Sequence, residues 1–253
     1  MKPVPPLSTF GSLLYFIVSA LVFRLCVYNL MPYLLLHQVP AFWSFMASYS
    51  VLLLLFIIAT FVMVYREGNL PYWRQRLRLG KLGGKAVLWC LLLFVVSFLI
   101  TGALLPSAQY IASMPAYAPP SFLPSILNPN AAIPGAGLTE FMGVPLKGAY
   151  WIIPVYFVFL TVLNIGGEEL WFRGYLLPRQ QLVWGRLTWV IHGVLWCLFH
   201  TPVYPWTVLY LLPTTLAVSY AAQRFQNTWA GFIIHYAGNG ILALLPIVMG
   251  VVE

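Results

Sequence analysis

Three long apolar runs decide what this chain can fold into. Ala41 to Tyr65 and Ala86 to Leu105 contain no Asp, Glu, Lys or Arg, and Phe10 to Leu36 contains Arg24 alone. About 20 mostly apolar residues cross the hydrocarbon core of a bilayer as a helix. The whole chain is 61% hydrophobic and 7% charged, whereas about a quarter of the residues of a soluble domain are charged. So few charges could not cover a soluble surface. Period-two alternation is missing, which excludes a β-barrel. The expected fold class is an all-α, polytopic membrane protein, with Trp and Tyr near the run ends as interfacial anchors.

Further runs extend the pattern. Gly148 to Ile165, Thr188 to His200, Tyr204 to Ala222 and Trp229 to Val252 give seven crossings. A helix from Glu168 to Leu182, bent at Pro178, makes eight elements. Phe10 to Leu36 is too long for a signal-peptide core and has no small-residue cleavage site, so it reads as a retained anchor. The net charge of +8 is concentrated in one loop, with Arg66, Arg74, Arg76, Arg78, Lys81 and Lys85 against the single Glu67. That distribution argues against nucleic acid; it fits the positive-inside bias and sets the loop and the N-terminus on the cytoplasmic side. Membrane lipids are therefore expected partners. Ser107 to Lys147 holds seven prolines and two charges, which prevents a long helix and leaves a connector, a lid or a membrane-lying hairpin. The division expected is 1–147, with the N-terminal helices, basic loop and connector, and 148–253, with the chemistry. Cys26, Cys90 and Cys197 lack pairing or metal spacing and read as small hydrophobes.

Gly166 to Gly174 reads GGEELWFRG in a chain that has no Asp and, besides Glu168 and Glu169, only Glu67, Glu140 and Glu253 as acids. Ionisable groups at membrane depth are costly, and they line sites or pair with each other. Glu169 and Arg173 are four apart on one helix face and can pair. Glu168 points about 100° away and is left to face a cavity. The flanking glycines let the helix break or let another backbone come close. His200 ends an apolar run four residues after Trp196, and His235 and Asn239 share a face of the last run. Glu, His, His and Asn can converge on one water and one carbonyl. His192 lies eight residues before His200, about 80° round the helix, and reads as a support of the site or as a packing or interfacial residue, while Arg24 needs a partner or a wet cavity.

Glu168-Glu169-x-x-x-Arg173, then Trp196-x-x-x-His200, then His235-x-x-x-Asn239, resembles the CPBP family of intramembrane endopeptidases. That family includes the type II CAAX prenyl proteases and the Abi-type proteins. Order and spacing agree from Tyr150 to about Leu245. The resemblance implies that Glu168 and His200 polarise a water, that His235 and Asn239 donate to the oxyanion, and that Glu169 and Arg173 hold the helix. The prenyl proteases typically have Phe where this chain has Trp196, an aromatic that can support a pocket wall and bears on substrate shape. No cofactor is expected. The alternative is zinc on Glu168, His200 and His235 with an open fourth position, although an H-E-x-x-H helix is missing.

The function expected is hydrolysis of a peptide bond in a membrane-associated substrate, with a prenylated CAAX tail as one class. Two rivals are a non-catalytic interaction protein, such as a bacteriocin-immunity or regulatory partner, and a transporter. A transporter would be expected to show related halves, and no repeat is visible. The compact chain points to a bacterial plasma membrane, with the endoplasmic reticulum as the eukaryotic counterpart.

Overall fold

The computed structural model describes residues 1–131 and 138–253. Nearly all regular structure is helical. Helices α1 (Thr9–Leu36), α2 (Ala41–Arg66) and α3 (Gly84–Ser113) coincide with the three founding runs. Ser8 starts α1 by accepting the Gly11 N–H at 3.0 Å. Helix α4 covers 152–184 and turns back at Gly185, whose φ of 55° most side chains would resist. Helix α5 (Thr188–His200) follows, then α6 (Leu212–Phe225) and α7 (Thr228–Val252). Gln226, in the left-handed conformation, closes α6, and the Asn227 side chain caps α7 by accepting the Trp229 N–H at 2.8 Å.

Five helical stretches among the described residues are long and apolar enough to cross a membrane. The further crossings expected fall on α5 and α6, of 13 and 14 residues. Each falls short of the roughly 20 residues a full crossing needs, so a count of seven to eight is not reached by length and composition. α5 and α6 pair instead as a hairpin rising from the basic end.

The described residues of the Pro-rich connector include regular structure. Its first residues extend α3 as far as Ser113, with Pro106 inside the helix. A two-residue hairpin, β1 (Glu140–Phe141) with β2 (Val144–Pro145), then packs Phe141 against Phe42 and Tyr156. Pro134 lies outside the described residues.

Helix α4 does not break at its glycines. Gly167 keeps φ −62° and ψ −46°. The close-approach alternative holds: a Cβ there would sit 3.1 Å from the Leu53 carbonyl oxygen of α2. Widened, π-type turns occupy Phe159–Gly166 and Glu169–Leu176 of α4, and Tyr236–Leu242 of α7. Such turns re-aim side chains and recur at functional sites. Pro178 sits at the start of the regular turn that follows and bends nothing further.

An aromatic layer joins the N-terminal helices to α4 and α5. Phe16 stacks on Phe172 with centroids 5.1 Å apart, Phe23 on Phe199 at 5.4 Å, and Phe56 meets Phe172 edge-on at 5.3 Å.

The basic loop folds into a clasp. Arg76 is almost fully buried, with Nε 2.7 Å from Glu67 Oε2 and Nη1 reaching the Gly174 carbonyl of α4 at 3.4 Å. Arg179 pairs with the other oxygen of Glu67 and donates to the Tyr175 carbonyl. Arg78 donates to Gln181 at 2.8 Å, and Thr228 donates to the Leu77 carbonyl. Burial pushes the Arg76 guanidinium down to about 10, and burial together with the Arg76 charge does the same to Arg78. Both remain cationic at neutral pH.

Candidate active site

Glu168 lies on α4 between its two widened turns, and its residue is 6% exposed. Its carboxylate accepts the indole N–H of Trp196 at 3.0 Å. Among the described residues, this is its one hydrogen-bond donor. The Trp196 ring lies edge-on to His200, 5.7 Å between centroids, and to His235 at 5.2 Å. One indole therefore touches the carboxylate and both imidazoles. Trp196 thus links Glu168, His200 and His235, and Asn239 joins the group through its bond to His235.

Each imidazole is fixed by the bond one of its nitrogens makes. His200 Nδ1 is 2.9 Å from the Trp196 carbonyl oxygen. A carbonyl only accepts, so Nδ1 carries the proton and the neutral ring keeps a lone pair at Nε2. His235 Nδ1 is 3.0 Å from Glu169 Oε1 and donates to it. Its Nε2 then accepts from the Asn239 amide nitrogen at 3.2 Å. In this neutral tautomer His235 cannot also donate from Nε2, whereas Asn239, which is exposed, has a second N–H to offer.

Glu169 does pair with Arg173, with Nη1 3.2 Å from Oε1. No guanidinium nitrogen of Arg173 reaches hydrogen-bond geometry with an acceptor among the described residues. The charge rests instead on the indole face of Trp196, 3.3 Å from its centroid, a cation–π contact in a dry place. Glu169 is thus shared between Arg173 and His235, a second task that the i, i+4 spacing does not reveal.

Gly231 is the functional position that sequence reasoning missed. A Cβ there would lie 2.5 Å from Glu169 Oε2 and 3.5 Å from Arg173 Cγ. Only glycine lets α7 come close enough for His235 to reach Glu169. The available signal was a residue without a side chain one turn before His235, on the same helix face.

His192 stays outside this group. It is fully buried, its Nδ1 lies 2.6 Å from Gln180 Oε1, and its ring meets Phe16 and Phe172 edge-on. Arg24 finds its partner in the Pro202 carbonyl, and Tyr28 donates to the Val203 carbonyl at 2.9 Å. These two bonds satisfy backbone exposed where α5 ends, as irregular chain at membrane depth requires.

The zinc alternative fits poorly. Among the described residues no three His, Cys, Asp or Glu side chains are grouped as a metal set. His235 already uses both ring nitrogens on protein partners.

Fold and site together define a helical membrane protein with a buried acid, two imidazoles and an amide around one indole. Residues 150–241 match the family described as type II CAAX prenyl endopeptidase Rce1-like. This match supports the resemblance read in the motifs. No curated protein and no solved structure matches the chain.

Proposed function

We propose that the protein is an intramembrane endopeptidase that cleaves a membrane-associated peptide without a metal, a prenylated CAAX-type tail being the class the family description suggests. The observation that carries this is the tautomer of His200. With Nδ1 committed to the Trp196 carbonyl, its Nε2 keeps a lone pair, and the same tryptophan holds the Glu168 carboxylate through its indole N–H. Glu168 and His200 take the proton of a water as its oxygen attacks the scissile carbonyl carbon. The oxyanion accepts the second N–H of Asn239, which His235 orients from the other side. Collapse of the tetrahedral intermediate breaks the C–N bond, and the stored proton passes to the leaving amine.

In this reading 148–253 carries the reacting groups, and 1–147 supplies the packing layer and the basic loop. His235 lies seven residues into α7 and His200 twelve into α5, about 10 and 18 Å from the basic end. The positive-inside bias makes that end cytoplasmic, so cleavage occurs within reach of the cytoplasmic leaflet.

The test is cleavage of a farnesylated, internally quenched peptide by the purified protein in nanodiscs. Glu168→Ala is expected to abolish turnover while the melting temperature stays put; unchanged cleavage ends the reading. Prolonged dialysis against a strong chelator is expected to leave the rate intact, and a loss restored by zinc would favour the metal version.

A further inference from the structure

Trp196 makes a bond that the phenylalanine typical of the prenyl proteases could not make. Its N–H edge holds Glu168 at 3.0 Å, and its face holds the Arg173 guanidinium at 3.3 Å. The residue is 2% exposed, so water does not compete for either contact. The two faces of this geometry separate the two adjacent acids. Glu169 takes the cation and the His235 N–H, while Glu168 takes one neutral donor and no aligned charge partner. A carboxylate paired with a permanent cation is a poor base, because the nearby positive charge lowers its affinity for a proton. A carboxylate tethered at one oxygen by a neutral N–H keeps its other oxygen for a water.

We propose that Trp196 is a positioning residue: its indole N–H fixes Oε2 of Glu168 and leaves Oε1 to the attacking water, while the indole face keeps Arg173 turned to Glu169. The specificity of the site for Trp then lies in the N–H and not in ring size. This inference rests on the proposed peptidase reading for its consequence in rate, but not for its geometry.

Two substitutions separate the N–H from the ring. Trp196→Phe removes the donor and shrinks the ring. Replacement of Trp196 by benzothienylalanine keeps the bicyclic shape and π face and removes the donor alone. Both are expected to lower kcat about 10- to 100-fold, the effect of losing a hydrogen bond to a charged group, with KM moving less than about threefold. A benzothienylalanine variant that turns over at the wild-type rate overturns the proposal. The second measurement needs no turnover. The Trp196 indole N–H resonance, identified by its loss in Trp196→Phe or by selective labelling, is expected to move when Glu168→Gln removes the acceptor's charge. It should stay fixed in Glu140→Gln. A resonance indifferent to Glu168→Gln overturns the contact itself. If the wild type cleaves nothing, the peptidase reading falls, while the resonance still decides the geometry.

Discussion

Two polar clusters meet on α4 one turn apart, and they are built to opposite rules. In the clasp, nearly every buried group is answered. Glu67 takes two arginines, Arg76 and Arg179 also reach backbone carbonyls, and Asn69 exchanges bonds with the backbone of Lys2. Around the adjacent acids, Glu169 Oε2 and all three nitrogens of Arg173 are buried without a hydrogen-bond partner among the described residues. Unsatisfied buried groups cost free energy, and a fold retains them where strain or chemistry uses them. The clasp therefore holds the helix, and the acid pair is where the proposed chemistry would use the unsatisfied groups.

That contrast can be broken at four places. Glu168→Ala should have the largest effect, a loss of about 10³-fold or more in kcat, with a melting curve superimposable on the wild type. Arg76→Ala should do the reverse. Removing one partner of a buried ion pair costs about 3 to 5 kcal/mol, read as a lowered thermal midpoint in detergent. The enzyme that remains folded at low temperature should keep most of its kcat. Gly231→Ala should touch both regions' properties, because its methyl would collide with Glu169. About 1 to 3 kcal/mol of stability should go, together with the orientation of His235, seen as a kcat defect that persists well below the melt. The smallest effect belongs to Arg74→Gln and Lys81→Gln. Both side chains are exposed on the same loop as Arg76, and each change should stay within about 0.5 kcal/mol. If Arg76→Ala proved equally mild, the clasp would be ordinary surface charge.

The parts of this molecule that were legible in the sequence are those written in local runs. The three founding helices, the i, i+4 pairing of Glu169 with Arg173, and the ordered motifs that led to the family all depend on near neighbours. The bonds that define the site do not. Trp196 reaches Glu168 across 28 residues and His235 reaches Glu169 across 66, while Thr228 reaches Leu77 across 151. No periodicity encodes such distances. The basic loop is the clearest example: charge bias accounts for Arg74 and Lys81, yet Arg76 lies inside the protein. Trp196 looked like a pocket wall because an aromatic in an apolar run carries no sign of where its N–H will point.

The short α5–α6 hairpin gives the protein two heights. Helices α1 to α3 run 26 to 30 residues, about 40 to 45 Å along their axes, whereas α5 and α6 run 13 and 14 residues, about 20 Å. Val194, Leu198 and Tyr220 face outward on that low flank. Lipid chains beside it must splay or shorten relative to those opposite, at fractions of a kcal/mol per Å. The annulus around the molecule is therefore lopsided, and acyl-chain length becomes a variable that the tall and the low flank cannot both match.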